Sequence, residues 1–184
     1  MENVILASQS PRRKELLHHL VEEFRIMPAD IDETVLAGED PAAYVLRMAQ
    51  EKGEKIAKDH REALVIASDT IVVHEGQILG KPQDREDAFK MLQQMSGKNH
   101  HVYTGVALQQ GEKRRTALTE ASVSFYELTE AEINRYLDSG EYADKAGAYG
   151  IQGQASVFVK AVQGDYYSIV GFPVGAVNQM LKEF

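Results

Sequence analysis

The chain has 184 residues, 43% of them hydrophobic, enough for one substantial core and short for two independent ones, so a single domain over 1–184, at most two-lobed, is expected. It contains no cysteine, which excludes a disulfide framework, a thiolate nucleophile and Cys-based zinc or iron–sulfur sites. The formal net charge of -8 repels a phosphate backbone, and the one compact basic run, Arg12-Arg13-Lys14, suits a small anion better than a nucleic-acid duplex.

The opening apolar run is too short for a signal-peptide core or a membrane span, so a soluble, cytoplasmic protein without a membrane partner is expected. Val4 to Ala7 reads as a short buried strand entering the loop Ser8-Gln9-Ser10. Pro11 then opens a helix with Ser10 as N-cap and Leu16, Leu17, Leu20 and Val21 as its apolar stripe. Arg25 to Ile31 reads as a weak strand ending in carboxylates. Asp40-Pro41 begins a second helix running to about Asp59, with Val45, Met48, Ala49 and Ile56 on its apolar face.

Leu64 to Ser68 is a β-branched run that ends in Asp69-Thr70 and continues extended through Ile71 to Val73, before the turn Glu75-Gly76. Asp84 caps a helix carrying Ala88, Met91, Leu92 and Met95, which Gly97 stops. Val102 to Leu108 and Ala117 to Tyr126 read as strands around Gly111. Thr129 and Glu132 form a capping box for a helix with Ile133, Tyr136 and Leu137, ending at Gly140. The glycine-rich stretch 143–153 reads as a functional loop. Val157 to Val162 and Tyr166 to Val170 suggest a hairpin, and Val174, Val177, Met180 and Leu181 a closing helix. The mixture predicts an α/β fold with a mixed rather than purely parallel sheet.

Three cations in the first helical turn sit at the wrong end of the helix dipole, an arrangement relieved by an anion in front of it or by surface carboxylates around it. A phosphate chain would satisfy the amides, the Ser8 and Ser10 hydroxyls and the guanidinium forks together. No GxxxxGK[ST] loop or G-x-S-x-G elbow occurs, which sets aside P-loop and serine-nucleophile chemistry. Asp69, ending an apolar strand, needs a metal, a base partner or a hydrogen-bond network to hold its charge. Asp30, Asp32 and Glu33 form a second acidic cluster, and together these groups suit magnesium and a polyphosphate. Lys52 lies on the apolar helix face and either snorkels or meets a ligand. Lys81 is held between Gly80 and Pro82 on a connection. The histidines show no zinc-hydrolase spacing and read as structural or surface residues.

These stretches carry a family resemblance. Ile5-Leu6-Ala7-Ser8-Gln9-Ser10-Pro11-Arg12-Arg13-Lys14-Glu15-Leu16-Leu17 resembles the opening signature of the Maf-like nucleotide pyrophosphatases, also called septum-formation inhibitor proteins. Ser68-Asp69-Thr70, Gly80-Lys81-Pro82-Gln83-Asp84, Ser96-Gly97, the run 101–106, the run 145–153 and Gly171-Phe172-Pro173 follow in that family's order. The resemblance implies a twisted mixed sheet flanked by helices, two lobes around a cleft, similar to inosine-triphosphate pyrophosphatases. It implies a small-molecule nucleoside triphosphate as partner, hydrolysed between the α and β phosphates with a divalent cation, Mg²⁺ or Mn²⁺. Asp69 resembles the catalytic base, with Asp69 and Glu33 as candidate metal ligands. Arg12, Thr70 and Gln152 resemble the substrate-selecting residues of the dTTP/UTP-cleaving branch, and Ser8, Arg13, Lys52 and Lys81 its phosphate-binding positions. A homodimer is the assembly considered. The alternative is a nucleotide-binding regulator of septum formation with little turnover. Gly53 stands where the family often has Ala, and Phe172 where Leu is usual.

Overall fold

A computed structural model describes residues 3–184. Seven strands form one mixed sheet, ordered β2-β1-β3-β5-β6-β7, with β4 paired to β3 off that path. The strands are β1 (Val4–Leu6), β2 (Arg25–Ile26), β3 (Leu64–His74), β4 (Gln77–Leu79), β5 (Asn99–Gln110), β6 (Lys113–Phe125) and β7 (Val159–Gly164). The helices are α1 (Pro11–Leu17), α2 (Pro41–Ala57), α3 (Arg85–Met95), α4 (Glu130–Leu137), α5 (Tyr166–Val170) and α6 (Val174–Leu181). The chain divides into two compact units. The first comprises the chain up to Thr70, Thr104–Thr119 and Gly171–Phe184; the second comprises Ile71–Tyr103 and Glu120–Val170.

In the first unit β1 lies parallel to both β2 and β3, pairing Ile5 with Arg25 and with Val65. Ile5, Ala7, Val65 and Ala67 line up on one face by the two-residue period of a strand and pack with Ala57 and Ala63. Helix α2 starts as its sequence demands: Asp40 accepts from the amides of Ala42 and Ala43 at 3.0 and 3.2 Å, and Pro41 takes the first turn. Its buried face carries Val45, Met48 and Ala49, and Lys52 with them. Gly105 on β5 lets α2 come close, since a Cβ there would stand 2.6 Å from the Val45 carbonyl oxygen.

In the second unit the β3–β4 hairpin turns at Glu75 and Gly76, both at positive φ, as a two-residue hairpin loop requires. Asp84 caps α3, and Thr129 with Glu132 closes a reciprocal capping box on α4. Phe125, Tyr136, Phe158 and Tyr149 meet edge to face in its core. His100 is fully buried among them, its ring 4.7 Å from Phe125 and its Nε2 2.7 Å from the Tyr149 hydroxyl.

Two of the expected strands differ from the sequence expectation. The strand expected over Arg25 to Ile31 stops at Ile26, because Pro28 brings no N–H to continue pairing; the last bond runs from the Met27 amide to the Leu6 carbonyl at 3.0 Å. The expected hairpin of Val157–Val162 with Tyr166–Val170 does not form. Instead β7 pairs antiparallel with β6, Val123 opposite Val162, and residues 166–170 are helical. Asp165 explains the change, since its carboxylate accepts from the Tyr167 amide at 2.9 Å and the Ser168 hydroxyl at 3.0 Å, turning the chain into a helix. Among the described residues no helix is long and apolar enough to cross a membrane.

Two outcomes are expected. A Cβ on Gly53 would meet Ala67 and Ala107 at 3.5 and 3.8 Å, ordinary contact distances, so Gly53→Ala raises stability by up to about 1 kcal/mol through helix propensity. Denaturant melts showing a lower midpoint for the variant would contradict this. Burial, with His74 and His101 nearby, pushes the His100 pKa down to about 3. The unfolded chain therefore binds a proton below its ordinary pKa while the folded chain does not, and this contribution is intact at neutral pH. It is lost at about 1.4 kcal/mol per pH unit as pH falls from roughly 6.5 towards the folded-state value. Stability curves of the wild type and His100→Gln must differ in slope over that window; parallel curves would remove His100 as the cause.

Candidate active site

The site is built on β3 and the two segments that flank it in the first unit. The pleat sorts its residues: Asp69 follows Val65 and Ala67 on the face that meets α2, while Ser68 and Thr70 point to the opposite face. On the α2 face the Lys52 ammonium donates to Asp69 Oδ1 at 2.6 Å and meets Glu33 Oε1 at 2.7 Å. The Lys52 and Asp69 side chains are only 11% and 14% exposed, so the pair is poorly screened, whereas Glu33 is 54% exposed. One ammonium thus serves two carboxylates and leaves the group with an excess negative charge. The Tyr44 hydroxyl donates to the Glu33 carbonyl at 2.8 Å. Burial, reinforced by the charges of Asp69 and Glu33, pushes the Tyr44 pKa up to about 12, which keeps that hydroxyl a donor.

On the other face Arg13 is anchored by neutral acceptors. Its Nε donates to the Gly171 carbonyl at 2.9 Å, its Nη2 to Thr70 Oγ1 at 3.2 Å and its Nη1 to Ser8 Oγ at 3.5 Å. Ser68 donates to the same Gly171 carbonyl at 2.9 Å, and Thr70 Oγ1 lies 2.9 Å from Thr104 Oγ1. The helix start behaves as expected, with Ser10 Oγ accepting the Arg13 amide at 3.4 Å and Ser8 Oγ the Ser10 amide at 3.1 Å. Burial lowers the Arg13 pKa from its ordinary value, opposed by the Asp69 carboxylate. A guanidinium remains charged under such a shift, so a desolvated cation faces the field of Asp69.

The first unit therefore brings together Ser8, Arg13, Glu33, Lys52, Asp69 and Thr70. Lys52 is not a snorkelling surface lysine, and Arg13 is not a solvated basic turn. Arg12 is half-buried on the same helical turn. Glu33 reaches the site from an irregular segment rather than from the strand end expected, and its neighbour Asp32 is turned away to Thr34, accepting from its amide at 2.9 Å and its hydroxyl at 2.6 Å. Lys81 and Gln152 belong to the second unit and are exposed there. The stretch around Gln152 is pinned: Gln154 N donates to Glu141 Oε2 at 2.9 Å, Gly147 N donates to the Gly80 carbonyl at 3.0 Å, and Gly147 and Ala148 are both at positive φ.

Sequence reasoning gave no role to Ser68, Thr104, Tyr44 or the Gly171 carbonyl, which support the charged groups. A buried polar residue within an apolar strand, such as Thr104, was the available signal. Two carboxylates converge on one cation here, a donor pair that suits Mg²⁺ when phosphate oxygens and water complete its shell. Among the described residues no group of three or more His, Cys, Asp or Glu gathers as a self-sufficient metal cage.

The model of the family described as "Maf-like protein" matches residues 3–184. A protein named "dTTP/UTP pyrophosphatase" from Bacillus cytotoxicus is 47% identical over 184 residues, covering 100% of this chain and 96% of the relative. One of the same name from Latilactobacillus sakei is 47% identical over 178 residues, covering 97% and 98%. Among solved structures, the Ham1 protein of Staphylococcus aureus superposes with a TM-score of 0.58 at 11% identity, over 99% of both chains. A HAM1 protein from Coxiella burnetii gives 0.54 at 13% identity over the full length of both, a likeness of fold.

The shared ammonium makes an expectation about stability alone. Lys52→Met leaves two carboxylates without their cation and is expected to cost about 1 to 3 kcal/mol. Adding Asp69→Asn should recover part of that loss, and a double-mutant cycle by chemical denaturation checks it. Strictly additive effects would show that the two side chains do not interact.

Proposed function

Because the chain belongs to the Maf-like protein family, we propose that it is a metal-dependent dTTP/UTP pyrophosphatase, hydrolysing the triphosphate between its α and β phosphates to the nucleoside monophosphate and pyrophosphate. The observation that carries this reading is Asp69, a little-exposed carboxylate on a central strand, held at one oxygen by Lys52 and in the field of the half-buried Arg13. Its second oxygen can take a proton from, or orient, a water aimed at the α phosphorus. Arg13, already fixed by three acceptors, presents its charge to a phosphate without losing much side-chain freedom. Ser8, at the loop before α1, has a hydroxyl that can turn from its present partners to a phosphate oxygen. Lys81, on its glycine–proline connection, is assigned to the departing pyrophosphate.

Asp69 and Glu33 would hold a Mg²⁺ or Mn²⁺ ion, which when bound supplies Lewis-acid neutralisation of the polyphosphate. Base selection is assigned to Arg12, Thr70 and Gln152. The Gln152 amide offers an acceptor and donors in one plane, matching the N3–H and an adjacent carbonyl of uracil or thymine. Cytosine, with an unprotonated N3 and an exocyclic amine, would leave those groups mismatched. Thr70 acts differently from a direct reader, because its hydroxyl already takes Arg13 Nη2 and faces Thr104. It tunes the position of the arginine. We place the enzyme in the cytoplasm as a guard of the pyrimidine nucleotide pool.

Purified protein, given dTTP, UTP, CTP, ATP and GTP with Mg²⁺, should release pyrophosphate, with kcat/KM highest for dTTP and UTP. Orthophosphate as the released product, or a preference for GTP or CTP over both, would overturn the assignment. No turnover with tight nucleotide binding would favour a regulatory binder instead. Asp69→Asn preserves size while deleting the charge, and is expected to lower kcat by at least about a hundredfold, the scale of general-base loss, in a folded protein. Wild-type turnover in that variant removes Asp69 from the chemistry.

A further inference from the structure

Glu33 is the one member of the charged group that no regular element carries. Between Met27 and Asp40 the chain has neither helix nor strand, yet its carboxylate must reach a lysine on α2. What fixes it is written on α2 itself. Tyr44, Met48 and Lys52 stand at successive turns of one helical face, and Arg47 lies beside them. Tyr44 donates its hydroxyl to the carbonyl of Glu33 at 2.8 Å. Arg47 donates to the carbonyl of the next residue, Thr34, at 3.1 Å through Nη2. The same guanidinium grips Glu39 with both arms of its fork, Nε to Oε1 at 2.6 Å and Nη2 to Oε2 at 2.7 Å. It also donates to Glu51 at 3.2 Å and lies 5.5 Å from the Tyr44 ring. Glu39 in turn accepts the Leu36 amide at 3.0 Å, closing the segment on itself.

We propose that Arg47 and Tyr44 are positioning residues for the triphosphate reaction: they strap the segment 33–39 to α2 so that the Glu33 carboxylate meets Lys52 and the substrate's cation. The two consecutive carbonyls at 33 and 34 are the ones held, so the strap acts on the backbone that carries Glu33 rather than on its side chain. Planarity matters here. A guanidinium holds Glu39 by two N–H groups in a fixed plane while also reaching the Thr34 carbonyl, a geometry that the point charge of an ammonium does not fix. Irregular segments of this length in compact domains are commonly functional, and this one has its anchor on the same helix as the residue it serves.

The inference rests on the pyrophosphatase reading for its kinetic consequence and on geometry alone for its structural one, and the experiment separates them. Hydrogen exchange of the metal-free protein reads the strap directly. Arg47→Ala should speed exchange of the amides in 30–39 by at least about tenfold while leaving β3 and α4 unchanged. Steady-state kinetics with dTTP should then show KM raised about fivefold or more with kcat within about threefold. Tyr44→Phe keeps the ring and removes one donor, and should give the same pattern at smaller size. Arg47→Lys should recover less than half of the exchange protection. Faster exchange in 30–39 with unchanged KM, or unchanged exchange in both variants, overturns the proposal. A wild type that turns over no nucleoside triphosphate overturns the pyrophosphatase reading, while the exchange data still decide the strap.

Discussion

One ammonium held between two carboxylates organises this site. Lys52 is little exposed and would be costly to keep charged alone; Asp69 is in the same position with the opposite sign. Each makes the other tolerable, and Glu33 adds a second negative charge that the lysine does not cancel. The result is a small group with an excess negative charge, with a half-buried arginine across the strand whose charge interacts with Asp69 and Glu33. The metal-complexed polyphosphate proposed as substrate would bring a positive charge to the carboxylates and negative charge to the arginine.

Much of the first unit follows from that requirement. Helix α2 has to turn a lysine onto its apolar face, and it does so beside Met48 and Ala49, where a surface lysine would be out of place. Strand β3 has to present a carboxylate where burial gives way to partial exposure, and the change falls at Ser68 to Asp69. The two-residue alternation of the same strand sends Ser68 and Thr70 to the arginine side, so one segment of three residues serves both faces. Gly171, at a φ of 112°, offers one carbonyl to both Arg13 and Ser68. A side chain there would stand 3.4 Å from Thr70 Oγ1, in a backbone conformation that L residues rarely adopt.

The features legible in the sequence are those with local causes. The Ser10 and Asp40 caps, the capping box at Thr129 and the β-branched run into Asp69 act over a few residues, and each lies where its pattern placed it. The partition of roles among charged groups depends on contacts distant in sequence. That Arg13 is anchored by Gly171, or that Lys52 reaches Glu33, leaves no periodic trace in either segment. Where local reading misplaced an element, a single residue decided it. Pro28 ended early the weak strand expected over Arg25 to Ile31, and Asp165 began a helix where a hairpin was expected. The resemblance to a family supplied candidate residues at once, whereas Tyr44, Arg47 and Thr104 emerged only from their hydrogen bonds.

The central claim is that Asp69 directs water at the α phosphorus rather than at a terminal phosphate. Hydrolysis of dTTP in ¹⁸O-labelled water, followed by mass analysis of both products over a single turnover, tests it most directly. The account predicts one labelled oxygen in the nucleoside monophosphate and none in the pyrophosphate. Label in the pyrophosphate, or in released orthophosphate, would contradict it.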